Sequence, residues 1–175
     1  MISKKIDLVI REVPDFPKPG INFKDVTSLL LDSDLSSEIV DSFLKKLEGI
    51  NIDAIVGVES RGFLFGFLLA NKMGVPFIPI RKVGKLPGDT LNCKYELEYG
   101  FAEVEIHKND IKKGWNVLVH DDLLATGGTA GAAAQLINQL GGKVAGFAFV
   151  VSLDFLNGKD ILRQYSNNII SLKGY

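Results

Sequence analysis

Apolar and polar positions repeat along the chain with two periods, and their order predicts an α/β fold. Residues 35–47 are apolar at helical spacing up to Gly49, which predicts an amphipathic helix, and the short apolar run 54–58 predicts a buried strand. The alternation continues with a helix over 62–72, a strand over 76–80, a strand over 116–120, a helix over 129–140 and a strand over 144–152. We therefore predict a single α/β domain over 1–175, with a mostly parallel twisted sheet flanked by helices.

Two regions depart from this alternation. Apolar residues at helical spacing predict an N-terminal helix that continues to Val13 and stops at the proline-rich loop 14–20. Between 81 and 113 we predict a turn over 85–89 and two short strands, 95–99 and 101–106, that meet at Gly100. This inserted β-hairpin is a candidate lid. The last residues, 167–175, favour no element.

Composition excludes several function classes. A formal net charge of -1 and a pI near 6.1 argue against a nucleic-acid or membrane partner. The single Cys93 forms no internal disulfide, and His107 and His120 are too few for a multi-histidine zinc site. No signal peptide is apparent, and the apolar runs are shorter than the roughly 20 residues that span a bilayer. We expect a soluble, cytoplasmic protein.

Residues 117–129 carry the strongest chemical signal. Asp121 and Asp122 follow a predicted strand, and in an open parallel sheet ligands bind beyond that end of the strands. The next residues offer backbone N–H groups, hydroxyls and a helix start to a phosphate: Ala125, Thr126, Gly127, Gly128 and Thr129. Carboxylates suit ribose hydroxyls and a hydrated Mg²⁺. A capped helix start or a solvated loop end explains each part alone, but their order favours a sugar-phosphate site.

This segment resembles the phosphoribosyl-pyrophosphate motif of the type I phosphoribosyltransferases. Further similar segments extend from residue 13 to about 160: 14–17, 19–21, 23–25, 59–63, 81–82, 84–88 and 97–100. The resemblance is to the members that act on adenine. It implies transfer of the phosphoribosyl group from 5-phosphoribosyl 1-pyrophosphate to adenine, giving AMP and pyrophosphate in purine salvage. It also implies Mg²⁺, held mainly by substrate and water, and a homodimer in which Arg81 reaches toward the neighbouring subunit.

The same resemblance assigns roles to residues. It implies a hood over 1–32, a lid over 81–110, and a catalytic group made of Glu98, as acid–base residue, with Asp121 and Asp122. The 5-phosphate would bind at Ala125, Thr126, Gly127, Gly128 and Thr129, and pyrophosphate at Ser60, Arg61, Arg81, Lys85 and Tyr99. Adenine would bind Asn22, Phe23 and Lys24, mainly through backbone groups and stacking on Phe23. Three residues depart from the usual pattern: Asn22, Lys24 and His120, the last of which we interpret as a strand-end substitution and not a catalytic base.

Two alternatives remain open at this point. The first is the same transfer to another base, such as hypoxanthine, guanine or orotate. The second is a non-catalytic regulator that keeps the sugar-phosphate site as a sensor. Such a regulator would lack the lid acid and carry a DNA-binding domain or a basic face, whereas this chain has Glu98 and no basic excess.

Overall fold

A computed structural model describes residues 1–16, 18–97 and 100–175. The elements in chain order are α1 (Ile2–Val9), β1 (Arg11–Pro14), β2 (Asn22–Asp25), a 3-10 helix (Val26–Leu31), α2 (Ser33–Lys46), β3 (Ala54–Val58), α3 (Gly62–Met73), β4 (Phe77–Lys82), β5 (Thr90–Glu96), β6 (Phe101–His107), β7 (Asn116–Leu124), α4 (Gly128–Gln139), β8 (Lys143–Ser152), a 3-10 helix (Asp154–Leu156), α5 (Gly158–Leu162) and β9 (Ile169–Gly174).

The main sheet has 7 strands in the order β5-β6-β4-β3-β7-β8-β9. Strands β4, β3, β7, β8 and β9 run parallel, whereas β6 pairs antiparallel with β4 and with β5. Every residue of β3 is buried, as expected for a central parallel strand covered on both faces. The predicted α/β class and mostly parallel sheet are confirmed.

Two hydrophobic layers enclose the sheet. On one face α1, α2 and α3 pack over it, with Phe43 and Phe65 at 0% and 1% exposure. On the other face α4 packs over β7, β8 and the β5–β6 hairpin, around Phe147 and Ile106, both at 0% exposure. Since successive strand residues face opposite layers, Val119 belongs to the α4 layer. The two layers fix the positions of the strand ends that carry the candidate site.

The predicted N-terminal helix through Val13 is wrong beyond residue 9. Helix α1 ends at Val9, Ile10 is extended, and Val13 lies in β1, which pairs with β2 in a separate 2-stranded sheet. Pro14 disfavours a helical conformation at the residue before it, and the hairpin gives these backbone groups other partners. The predicted proline-rich loop therefore begins after Pro14, and Pro17 lies outside the described residues.

Three other boundaries differ from prediction. The first lid strand is β5, Thr90–Glu96, whose residues Leu91, Cys93 and Tyr95 alternate inward, and not 95–99. Strand β4 continues to Lys82, so Arg81 is a strand residue. Strand β7 continues past His120 to Leu124, because β8 pairs with it as far as Ser152. The acids Asp121 and Asp122 are therefore in the strand and not in a loop after it.

The C-terminal segment forms the edge strand β9, which pairs parallel with β8. Its sequence gave no clear pattern because Ile169, Ile170 and Ser171 are all half-buried, so inward and outward positions do not differ. Within the described residues, none of the helices has the length and apolar character needed to cross a membrane.

Candidate active site

A cavity of about 480 Å³ opens at the carboxyl edge of the parallel strands. It lies between the segment after β3, the end of β7, the start of α4 and the lid hairpin. Its walls are formed by Val58, Glu59, Ser60, Arg61, Lys82, Tyr95, Val104, Asp121, Asp122, Leu123, Ala125 and Thr129. The structure thus brings together six residues that the sequence predicted for the site: Ser60, Arg61, Asp121, Asp122, Ala125 and Thr129.

The two acids form the negative side of the cavity. Asp122 is 4% exposed and accepts a hydrogen bond from Arg61 Nε at 2.5 Å. Asp121 Oδ1 accepts the backbone N–H of Asp122 at 2.8 Å. The first residue of α3 must be small here, since a Cβ on Gly62 would lie 2.8 Å from Asp121 Oδ1. The glycine lets α3 begin directly against the acid pair.

The pKa values of Asp121 and Arg61 depend on the charges around them. Burial and the neighbouring Asp122 charge raise the pKa of Asp121 well above its usual range, because two adjacent carboxylates disfavour a second ionisation. Burial alone lowers the pKa of Arg61, but the hydrogen bond to Asp122 and the charges of both acids raise it above its ordinary value. Arg61 therefore stays charged, and the acid pair gains stability from any further cation that enters the cavity.

The turn 125–129, which we name the phosphate turn, is preformed. Its residues all line a second cavity of about 70 Å³: Ala125, Thr126, Gly127, Gly128 and Thr129. Gly127 has φ +87°, and a Cβ on it would lie 2.7 Å from the carbonyl oxygen of Gly158. No side chain caps the N-terminus of α4 at Gly127. Its first N–H groups are therefore available to an anion.

Tyr95 is a site residue that sequence reasoning missed. It projects from β5, and its hydroxyl accepts a hydrogen bond from Thr129 Oγ1 at 3.1 Å. A Cβ on Gly128 would lie 3.3 Å from Tyr95 Cδ2. Strand β5 of the lid hairpin therefore contacts the phosphate turn directly. The inward alternation of Leu91, Cys93 and Tyr95 could have revealed it. Glu59 and Lys82 were missed as well, and they line the main cavity.

Arg81 and Lys85 do not line the main cavity. Arg81 Nη2 donates to Glu59 Oε1 at 2.9 Å, and Arg81 Nη1 donates to the carbonyl oxygen of Lys85 at 3.2 Å. Lys85 is exposed in the turn that follows β4. Pyrophosphate binding by Arg81 and Lys85 stays a prediction, and it requires the ligand to extend beyond the cavity toward this turn.

The predicted adenine-binding residues lie in the β1–β2 hairpin, also outside the cavity wall. Asn22 Nδ2 donates to Glu12 Oε2 at 3.0 Å, and Lys24 forms an ion pair with the same carboxylate. Lys24 is 9% exposed and its ammonium lies over the Tyr175 ring, so the ammonium points toward the protein and not toward the cavity. Phe23 connects the hairpin to the cavity, because the Arg61 guanidinium lies 5.8 Å from its ring centre.

Two predicted lid residues, Glu98 and Tyr99, lie outside the described residues. The residues on either side close the hairpin, with the N–H of Leu97 donating to the carbonyl oxygen of Gly100 at 3.0 Å. The roles of Glu98 and Tyr99 therefore stay predictions.

His120 is part of the core and not of the site. It is 0% exposed, and its ring meets Phe43 edge-on with centroids 5.4 Å apart. Neither ring nitrogen has a hydrogen bond of normal geometry among the described residues, although the Ala148 backbone carbonyl lies near enough to raise the pKa slightly. Burial lowers the pKa of His120 to about 4, against the influence of the Asp122 charge. A neutral, enclosed imidazole cannot exchange protons with a ligand, which agrees with the interpretation of His120 as a substitution in the strand.

The described residues contain no group of three or more His, Cys, Asp or Glu side chains arranged to hold a metal ion. The acid pair offers two carboxylates only. This donor set suits a cation that brings most of its own ligands, such as a hydrated Mg²⁺.

Proteins similar to this chain include several that are named adenine phosphoribosyltransferase. Residues 30–166 match the phosphoribosyl transferase domain family. An adenine phosphoribosyltransferase of Sorangium cellulosum is 54% identical over 89% of this chain and 78% of its own length. One from Clostridium botulinum is 52% identical over 91% of this chain and 92% of its own length.

Solved structures give the same result across the whole fold. A crystal structure of adenine phosphoribosyltransferase from Thermoanaerobacter pseudethanolicus superposes with a TM-score of 0.95 and 47% identity, covering 100% of both chains. The enzyme from Saccharomyces cerevisiae, complexed with an imino-altritol bisphosphate and adenine, gives a TM-score of 0.92 and 42% identity, covering 98% of each chain.

Proposed function

The chain belongs to the adenine phosphoribosyltransferases of the phosphoribosyl transferase family, and we propose that its reaction takes place in the cavity at the carboxyl edge of the sheet. The reaction transfers the 5-phosphoribosyl group of phosphoribosyl pyrophosphate to adenine and releases AMP and pyrophosphate, a glycosyltransferase step of purine salvage. A single observation supports this location: Asp121, Asp122 and the phosphate turn share one wall of the site.

The geometry suits a phosphorylated ribose held at two points. The 5-phosphate binds the free N–H groups and hydroxyls of residues 125–129, where the N-terminus of α4 favours negative charge. The ribose hydroxyls donate to the carboxylates of Asp121 and Asp122. Both residues lie near the end of β7, shortly before the phosphate turn in the chain. Fixing both ends of the sugar orients the anomeric carbon toward the open part of the cavity.

Charge placement supports the bond-breaking step. Cleavage of the C–O bond at the anomeric carbon develops positive charge on the ring, as in glycoside hydrolysis, and negative charge on the departing pyrophosphate. The acid pair stabilises the ring, while Ser60 and Arg61 bind the leaving group from the segment after β3. Lys85 binds the outer phosphate where the ligand leaves the cavity, and Arg81 reaches toward the pyrophosphate site of the neighbouring subunit. Tyr99 adds a contact from the lid.

The remaining roles belong to the residues that bind adenine and to the lid. Adenine lies under the β1–β2 hairpin, where backbone groups of Asn22, Phe23 and Lys24 read its edge and Phe23 covers its ring. Glu98 exchanges the proton of the base nitrogen that attacks the sugar. Closing the hairpin over the site excludes water, which would otherwise hydrolyse the cationic ring.

Mg²⁺ serves as the cofactor in this proposal. It would be held mainly by substrate oxygens and water, with Asp121 and Asp122 as outer acceptors, and would supply positive charge to the pyrophosphate. Two adjacent carboxylates fit this limited role, because burial and the Asp122 charge raise the pKa of Asp121 and a cation nearby would favour its ionised form.

Homodimer formation belongs to the same proposal. Leu64 lies one helical turn before the adjacent residues Phe67 and Leu68 on α3, and the three are 42%, 55% and 44% exposed, an apolar face typical of a surface that another chain covers. Sedimentation measurements at micromolar concentration should give twice the chain mass, and Phe67→Lys should shift the protein toward the monomer. A cytoplasmic location agrees with Cys93, a buried free thiol.

The decisive experiment compares bases. Initial rates with phosphoribosyl pyrophosphate and Mg²⁺ are measured for adenine, hypoxanthine, guanine and orotate, and again after EDTA is added. We expect kcat/KM for adenine to exceed each other value by roughly 100-fold or more, because a site built to bond one base edge leaves polar groups unpaired with the others. EDTA should abolish the reaction. Comparable rates with hypoxanthine or guanine would contradict adenine specificity.

A further inference from the structure

We propose that Glu105 is a positioning residue for pyrophosphate: it fixes the turn that carries Lys85 and joins that turn to the lid. We name residues 84–86 the lysine turn. The proposal rests on the proposed function, because the turn matters only if the pyrophosphate end of the substrate reaches it. Glu105 itself contacts no substrate in this account and acts through the backbone of the turn.

The Glu105 carboxylate accepts hydrogen bonds from this turn and from the start of β5. Glu105 lies in β6 and is 4% exposed. Its Oε1 accepts the backbone N–H groups of Lys85 at 2.9 Å and Leu86 at 2.8 Å. Its Oε2 accepts the hydroxyl of Thr90, the first residue of β5, at 3.0 Å. One buried carboxylate therefore connects the lysine turn with both strands of the lid hairpin.

Burying a carboxylate without a neighbouring cation is unfavourable in free energy. Hydrogen bonds to the Glu105 carboxylate offset this cost. Burial raises the pKa of Glu105, but hydrogen bonds from Leu86, Thr90, Lys85 and Gly84 outweigh it and lower the pKa below its ordinary value. Arg81 faces Glu105 across β4 and β6 but donates its guanidinium to Glu59. The negative charge of Glu105 therefore stabilises the conformation of the turn.

The turn is fixed from its other side as well. Arg81 Nη1 donates to the carbonyl oxygen of Lys85, and Glu59 accepts both Arg81 Nη2 and the N–H of Lys82, the latter at 2.7 Å. Glu59 and Lys82 line the main cavity. Consequently Glu59 and Glu105 together hold a short cationic segment, 81–85, at the rim where pyrophosphate would leave the cavity.

The test separates substrate positioning from general stability. Glu105→Gln replaces the charged oxygen that accepts the two N–H groups of the turn. The new group is either an amide NH₂, which cannot accept a hydrogen bond, or a neutral amide oxygen, which accepts more weakly. We expect the KM for phosphoribosyl pyrophosphate, and for pyrophosphate in the reverse direction, to rise about tenfold, while the KM for adenine stays within about twofold. Glu103→Gln is the matched control, because Glu103 lies on the same strand and accepts from Asn92 instead of the turn. It should leave both KM values unchanged.

A double-mutant cycle tests whether Glu105 acts through Lys85. In a Lys85→Ala background, Glu105→Gln should raise the KM for phosphoribosyl pyrophosphate by less than about twofold, since the group that it positions is gone. Multiplicative effects, equal changes in both KM values, or an unchanged KM in Glu105→Gln would overturn the proposal. Absence of adenine turnover in the unaltered enzyme would instead reject the proposed function.

A milder variant keeps the test valid if Glu105→Gln does not fold. Thr90→Val removes only the hydroxyl that Glu105 accepts and keeps the shape of the side chain. We expect a rise of about threefold in the KM for phosphoribosyl pyrophosphate and none for adenine. If Thr90→Val changes neither KM, or changes both equally, the link between lid and turn is rejected.

Discussion

The phosphate turn and the lysine turn lie at opposite ends of the substrate proposed for the site, and they are stabilised in different ways. The phosphate turn lies between a buried strand and a helix, and Gly127 packs directly against the backbone of Gly158. The lysine turn has a hydrogen bond of its own, from the N–H of Lys85 to the carbonyl oxygen of Lys82 at 3.2 Å, and the buried carboxylate of Glu105 accepts its N–H groups from another strand. Backbone packing without room for a side chain therefore holds the first turn, whereas hydrogen bonds to a side chain on β6 hold the second.

This difference predicts where substitutions act. A change within the phosphate turn should be severe wherever it disturbs the backbone, because packing leaves no room for adjustment. Around the lysine turn, substitutions should have smaller and graded effects. Residues that are distant in the sequence, such as Glu105, should matter there as well. The Glu105 and Thr90 variants described above test the lysine turn. The four predictions below test the phosphate turn and the buried residues near it, from the largest expected effect to the smallest.

Gly127→Ala should be the most damaging single change. The new Cβ would lie 2.7 Å from the Gly158 carbonyl oxygen, and the residue has φ +87°, which L-residues rarely adopt. Strain of roughly 1–2 kcal/mol and a displaced phosphate site should together lower kcat/KM for phosphoribosyl pyrophosphate by about a thousandfold. The clash is with Gly158, the first residue of α5.

Gly49→Ala is the control for the strain alone. Gly49 has φ +83°, and nothing lies within 4 Å of a Cβ built there. Steady-state kinetics of the two variants, with thermal unfolding of each, separate strain from clash. If Gly127→Ala keeps more than about a tenth of the normal kcat/KM, the turn is not the rigid element described here.

Asp122→Asn should lower kcat/KM by about 100-fold, because it removes a charge that would stabilise the cationic ring and orient Arg61. The sequence placed this residue in a loop, but it is a buried strand residue, so unfolding must be measured beside the rates. Asp53→Asn serves as control at the other end of β7, where Asp53 accepts the N–H of Asn116 at 2.7 Å. It should affect stability more than rate, and near-native rates in Asp122→Asn would contradict the assignment.

Tyr95→Phe tests the link between lid and phosphate turn. Loss of the hydroxyl that accepts from Thr129 should raise the KM for phosphoribosyl pyrophosphate about fivefold with little change in kcat. Tyr165→Phe is matched to it, since the Tyr165 hydroxyl accepts from Gln135 at 3.2 Å away from the cavity. Equal kinetics for the two variants would mean that the Tyr95 contact does not help to bind the substrate.

His120→Leu should have the smallest effect, on stability alone. The pKa of His120 is about 4 in the folded protein and near 6.5 when unfolded, so proton uptake by the unfolded chain costs no stability above pH 6.5 and destabilises the fold progressively as pH falls toward 4. Leucine removes this dependence and two unpaired nitrogens. We expect a Tm increase of about 2–4 °C at pH 7.5 that widens at pH 5. A Tm difference for His120→Leu that stays the same at pH 7.5 and pH 5 would count against the account.

The same contrast explains what the sequence could predict. The strand, acids and phosphate turn of residues 117–129 are contiguous, so their chemistry is visible as a motif. The roles of Glu105 and Tyr95 depend on tertiary contacts: Glu105 reaches a turn about 20 residues earlier in the chain, and Tyr95 meets Thr129 at the start of α4. The alternation along β5 indicates that Tyr95 points inward, but no local pattern shows which residue it meets. Boundaries failed for the same reason, since β7 extends through Asp122 only because β8 pairs with it.

The most direct test of the central claim is a crystal structure of the protein with ribose 5-phosphate. We predict phosphate oxygens within about 3 Å of the backbone N–H groups of residues 126–129, and ribose hydroxyls donating to Asp121 and Asp122. A phosphate bound instead at Ser60–Arg61 or at the lysine turn, with the sugar hydroxyls away from both acids, would contradict the account.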